Sequence, residues 1–129
     1  MKKLLNITLF SFFSLITICF TSAQDVSEQA KLALKNGNSK ALSDLFTANI
    51  DLAVEDVDDV FSKSQAEQIL KKFFEKNKPS SFTIVHEGKS KQDIEYKIGD
   101  LETSGGKFRV TINMKNVSGK MFIHQLRIE

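Results

Sequence analysis

The sequence predicts an α+β domain in which a curved antiparallel sheet wraps around one long helix. Three observations predict it. Ala66, Ile69, Leu70, Phe73 and Phe74 recur at helical spacing and make one continuous apolar face. From Ser81 onward the apolar period drops to two, the period of a strand. Within that stretch, Leu101 is out of phase with Ile94, Tyr96 and Ile98, and a β-bulge at Gly99-Asp100 would restore the phase and bend the strand.

A leader precedes the domain. Lys2 and Lys3 start it, a mostly apolar stretch runs from Leu4 to Phe20, and Thr21-Ser22-Ala23 ends it with small residues. That is the layout of a secretory signal peptide cleaved after Ala23. A membrane anchor would need about 20 predominantly apolar residues, and Asn6, Thr8, Ser11, Ser14 and Thr17 interrupt this stretch. Lipidation of Cys19 is disfavoured by bulky Ile18 before it and by its place inside the apolar region. Residues 24–129 then form a single domain that contains no cysteine, which excludes disulfides, thiolate metal sites and thiol catalysis. The whole chain has 18 basic and 16 acidic residues, and loss of Lys2 and Lys3 leaves 16 of each. A neutral domain lacks the overall basic footprint of a nucleic-acid binder.

The elements follow in order. Asp25 to Lys35 reads as a first helix, capped by Asp25 with Glu28 three residues on and stopped at Gly37. Ser39 caps a short second helix carrying Ala41, Leu42, Leu45 and Phe46. Ile50, Leu52 and Val54 alternate with polar or small residues, as in a strand with one buried face. Asp56 to Asp59 is expected to turn, and Val60-Phe61 to begin a short return strand. The long helix spans Ser62 to Lys76, with Ser62/Gln65 or Ser64/Glu67 as its capping box, and Pro79 marks its end. Four antiparallel strands are expected at Ser81–Glu87, Asp93–Thr103, Lys107–Lys115 and Lys120–Ile128, with a tight turn at Ser104-Gly105-Gly106-Lys107.

The order helix, helix, hairpin, long helix, four strands resembles the nuclear-transport-factor-2-like (cystatin-like) fold, a cone of curved sheet around a helix. Residues 61–74 (FSKSQAEQILKKFF), 82–88 (FTIVHEG) and 119–129 (GKMFIHQLRIE) are similar to an exported bacterial family, domain-of-unknown-function family 4783. The resemblance implies that fold and a periplasmic or extracellular location in a bacterium. It transfers no catalytic residue.

Candidate site residues are few. His86 alternates with Phe82 and Ile84, and His124 with Phe122, Leu126 and Ile128, so both are expected on the apolar face. Tyr96 shares a face with Ile94 and Ile98. Enzymes of the resembled superfamily often place a histidine or aspartate base in the cone, so His124 or His86 could act as base and Tyr96 as orienting group. The alternative is that all three are structural residues with hydrogen-bond partners. Asp56, Asp58 and Asp59, with Asp51 and Glu55, are weak calcium candidates, because their spacing departs from the EF-hand pattern. Lys71, Lys72, Lys76, Lys78, Lys89 and Lys91 form a basic set whose ordinary role is solvation. Met121 and Ile123 alternate against Phe122 and His124, which suggests an outward apolar face and a possible homodimer.

No phosphate-binding loop, cofactor motif or serine–histidine–acid motif is present, so no cofactor is expected. The favoured function is a non-catalytic exported domain that binds a small apolar ligand or an envelope protein. The alternatives are a small hydrolase or isomerase with a histidine base in the cone, and a structural envelope component.

Overall fold

The long helix begins where the sequence places it. The computed structural model describes residues 25–90 and 92–129, so the leader, Cys19 and Lys91 lie outside the described residues. Helix α1 spans Val26–Asn36, α2 spans Ser39–Ser43 and α3 spans Lys63–Lys76. At the head of α3, the Ser62 hydroxyl accepts from the Gln65 amide while the Gln65 side chain accepts from the Ser62 amide. This settles the capping box on Ser62/Gln65. Gly37 closes α1 in the left-handed region at φ 63°, and its turn satisfies the Ala33 and Leu34 carbonyls. Asn38, not Ser39, caps α2: its side chain accepts from the Ala41 amide at 3.0 Å.

Six strands form one sheet: β1 (Phe46–Val54), β2 (Val57–Ser62), β3 (Pro79–Lys89), β4 (Ile94–Thr103), β5 (Gly106–Val117) and β6 (Lys120–Ile128). Their spatial order is β2-β1-β6-β5-β4-β3. Every neighbouring pair is antiparallel except β1 and β6, which run parallel. The acidic segment is therefore mostly strand: only Glu55 and Asp56 turn, and Val57 already pairs with Val54.

The inner face of the curved sheet is a packed core. Leu52, Val54, Leu101, Val110, Ile112, Met114, Leu126 and Ile128 line it. Leu70, Phe73 and Phe74 of α3 and Ala30, Ala33 and Leu34 of α1 close it from the helical side. The Phe73 ring meets Phe74 and Phe108 edge-on, at centroid distances of 5.6 and 5.1 Å. Each such buried side chain contributes about 1.5–3 kcal/mol.

The bulges sit elsewhere than the alternation predicts. β4 and β5 pair without interruption from Ile94/Lys115 to Thr103/Gly106, so Gly99-Asp100 is not a bulge. Ile94, Tyr96 and Ile98 belong to the outer face, and Gly99 and Leu101 to the inner one. Gly99 is glycine for space, since a Cβ there would stand 2.5 Å from the Phe82 ring and 2.7 Å from the Thr83 carbonyl oxygen. The register shifts instead in β3, where Ser80 and Val85 are extra against β4, and in β6, where His124 is extra against β5.

The β6 bulge overturns the expected faces of that strand. Ile123 and Leu126 both point inward although they are three residues apart, because His124 absorbs one residue of phase. Ile123 is 0 % exposed and Met121 packs against the core, so Met121 and Ile123 are not an outward dimer face. Phe122 and His124 take the outer side instead. His86 is likewise outside, exposed and paired with Ile98 across the β3–β4 ladder.

Three substitutions test this packing in urea unfolding. Ser62→Ala is expected to cost about 1 kcal/mol through the lost cap. Gly99→Ala is expected to cost about 1–3 kcal/mol, because the added methyl must displace Phe82 or backbone. Glu55→Gly is expected to stabilise by about 0.5–1 kcal/mol: Glu55 holds φ 52° at the first central position of its hairpin turn, where glycine is unstrained.

Candidate functional site

The parallel pairing of β1 and β6 contains a gap. Phe46 pairs with Ile123 and Asp51 with Gln125, so four residues of β1 stand against His124 alone. Residues 47–50 must therefore leave the ladder. The Thr47 hydroxyl bonds the excursion to itself at the Asn49 carbonyl (2.6 Å) and to β6 at the Ile123 carbonyl (3.4 Å). An open cleft of about 1040 Å³ lies along this seam. Residues 46–49 and Asp51 line it from β1, Val60 from β2, Lys115 and Val117 from β5, and Phe122 and His124 from β6; Lys40, Ser43 and Asp44 at α2 and residues 62–64 and Glu67 at the start of α3 complete the wall. The cleft is outside the cone, whose interior is filled by Phe73, Phe74, Val110 and Ile112.

His124 is the one titratable group of the seam with an unmet need. Its Nδ1 is sealed from solvent and has no hydrogen-bond partner, alone in this among the buried side-chain nitrogens and oxygens of the described residues. Burial is the largest influence on the imidazole and pushes its pKa down. The Lys115 ammonium pushes the same way, and the Asp51 carboxylate and the Asn113 backbone pull back without prevailing. Asp51 is occupied: it accepts from the Gln125 amide at 3.1 Å, and the Gln125 oxygen accepts in turn from the Asn113 amide. These three side chains make a polar row across the outer faces of β1, β6 and β5.

The other candidates do not join it. Tyr96 is 37 % exposed on β4, two strands from His124 and therefore about 10 Å away. Its ring covers Gly88, where a Cβ would stand 2.7 Å from the hydroxyl. His86 is one strand farther still. The trio proposed from periodicity is thus dispersed over the outer face. Two of the seam's three serines are spent on structure, the Ser43 hydroxyl donating to the Lys40 carbonyl and Ser62 capping α3, while the exposed Ser64 hydroxyl lies 3.3 Å from that of Ser62. The imidazole can donate or accept one hydrogen bond, but no hydroxyl nucleophile is paired with it.

Asp56, Asp58 and Asp59 do not make a cation cage. Asp58 and Asp59 are consecutive strand residues and point to opposite faces. Asp58 pairs with Arg127 at 3.5 Å, and Asp59 accepts from the Val60 amide at 2.7 Å. Among the described residues no three acidic, histidine or cysteine side chains converge. The basic set is also dispersed: Lys76 pairs with Glu55 and Lys89 with Glu95, while Lys71 and Lys72 stand exposed on α3. Among the described residues no helix is long and apolar enough to cross a membrane. The seam residues Thr47, Ala48, Asn49, Lys115 and Phe122 have no local sequence signature. The one readable hint is the three-residue step from Ile123 to Leu126, which a regular strand forbids to two core residues.

Three comparisons place the chain. A protein of Bacteroides uniformis in the DUF4783 family is 34% identical, with TM-score 0.76, over 81% of this chain and 96% of its own. A second from Bacteroides ovatus is 34% identical, with TM-score 0.73, over 78% and 90%. A hypothetical protein of Catenulispora acidiphila with a ketosteroid isomerase-like fold, solved with trimethylamine, is 11% identical over 84% and 86%, with TM-score 0.62, and shares the fold alone. A search of curated proteins finds no match. The fold is nuclear-transport-factor-2-like, a six-stranded curved sheet closed by helices. Residues 27–129 match the family model described as a domain of unknown function, DUF4783, and the chain belongs to that family.

Proposed function

We propose that this is an exported, non-catalytic binding protein that takes a small ligand in the seam cleft rather than inside the cone. The observation that carries the reading is an open cleft of about 1040 Å³ with the half-buried His124 imidazole on its wall, in a fold whose core side chains are closely buried. Ligand capture needs no nucleophile or paired acid and base. The leader supports export, because its basic start, apolar stretch and Thr21-Ser22-Ala23 end match a cleavable signal.

Screening small molecules by amide and side-chain NMR tests the binding reading. Binders are expected to move the signals of Ala48, Phe122 and His124 together; shifts confined to the core or scattered over the surface would remove the seam as the site. Export is tested by N-terminal sequencing of the protein recovered outside the cytoplasm, expected to begin at Gln24. An uncleaved chain retained in the cytoplasm would defeat it.

The depressed pKa of His124 also makes stability depend on pH. The unfolded imidazole protonates near pH 6.5, whereas the folded one resists protonation until lower pH. Its contribution is therefore complete above about pH 6.5 and is lost as pH falls through the folded value. His124→Gln is expected to flatten the decline in urea midpoint over that window, measured against the parent protein.

A further inference from the structure

We infer that the β2 edge of the sheet is a latent self-pairing surface held closed by the Asp59 carboxylate, and that the strand it excludes is β2 of a second copy of this chain.

The sheet ends at β2 on one side and at β3 on the other. β3 begins at Pro79, and its extra residues Ser80 and Val85 break the regular spacing that a further strand would need. β2 has no such interruption: it pairs with β1 continuously from Val57/Val54 to Ser62/Asn49. Its free side is therefore regular, and Val60 projects from it 61 % exposed. Edges of this kind are the ones on which strands add.

The direction of the β2 amides follows from the turn. Glu55-Asp56 is a two-residue hairpin connection, so the closing pair Val54/Val57 exchanges both ladder bonds. Alternation then turns the amides of Val57, Asp59 and Phe61 toward β1, and those of Asp58, Val60 and Ser62 away from the sheet. Two of these three outward amides are occupied. The Val60 amide donates to the Asp59 carboxylate at 2.7 Å, and the Ser62 amide to the Gln65 side chain at 3.1 Å. The bond at Ser62 belongs to the capping box of α3. The bond at Val60 supports no helix. It sets an acceptor, and a negative charge, where the carbonyl of an added strand would have to come.

A second copy is the strand that fits. Two β2 edges related by a two-fold axis pair antiparallel. With Val60 opposite Val60, the outward positions fall into register: Asp58 meets Ser62, and each Val60 amide meets the other's carbonyl. The two exposed valines then cover each other, a favourable cross-strand pair for a β-branched side chain. The central donor of this register is the amide that Asp59 holds. The two Asp59 side chains also become diagonal neighbours on one face, where their like charges repel. Asp59 thus opposes the pairing twice, by occupying the donor and by its charge.

A matched pair of variants tests this, with sedimentation velocity and amide NMR followed across a wide concentration range on the protein as its host processes it. Asp59→Ala and Asp58→Ala remove the same charge from the same strand, but only the first uncaps Val60. Asp59→Ala is expected to strengthen self-association about tenfold over the parent protein. The amide signals of Asp58, Val60 and Ser62 are expected to move with concentration in that variant. Asp58→Ala is expected to associate as the parent does. Val60→Pro added to Asp59→Ala removes the central donor at a position an edge strand tolerates, and is expected to abolish the gain. Self-association unchanged by Asp59→Ala overturns the inference. Equal association of Asp58→Ala overturns it as well, since charge alone would then be the cause. So does association that survives Val60→Pro or that moves the signals of another face instead of β2.

Discussion

The structure depends on one contact, the parallel pairing of β1 with β6. It joins the hairpin β1–β2 to the meander β3–β6, and without it the sheet is two fragments of two and four strands. Parallel pairing also brings Leu52 beside Leu126 and Val54 beside Ile128, which makes the inner face continuous under α3 and α1. The gap in that pairing is the source of the seam cleft. Tight pairing at both ends and a looped excursion between them let a polar opening exist without disturbing the core a few residues away.

Most of the architecture was legible in the residues. Helical spacing from Ala66 to Phe74 identifies the central helix, Ser62/Gln65 or Ser64/Glu67 its start, and Gly37 the end of the first helix, because each is a local chemical requirement. The strands followed from alternation, with β6 placed to the residue. The acidic hairpin misled for an understandable reason. Asp58 and Asp59 are turn formers by composition, but pairing with Ala53 and Leu52 holds them in an edge strand, where their side chains have room and water.

The site was much less legible, and the cause is phase. Alternation says which residues share a face but not which face it is. Carrying the phase of Leu126 and Ile128 back through His124 put that histidine inside; the single extra residue put it outside and buried Ile123 instead. Tyr96 shares its face with the apolar Ile94 and Ile98, yet that face is the outer one of the sheet, where Tyr96 shields Gly88. Lys115 and the 47–49 excursion come together only through a pairing between the first and last strands, which no local window contains.

The position of β6 has a consequence for how the chain acquires its structure. It is the last strand in chain order, yet it lies inside the sheet, with β1 on one side and β5 on the other. A growing chain that has not yet released residues 120–128 holds a hairpin and a three-stranded meander with no ladder between them, and the inner faces of both remain wet. Cooperative collapse must wait for the final segment, since contacts of such long sequence separation are the slow ones. The hairpin and the meander therefore become one sheet only when residues 120–128 dock between them.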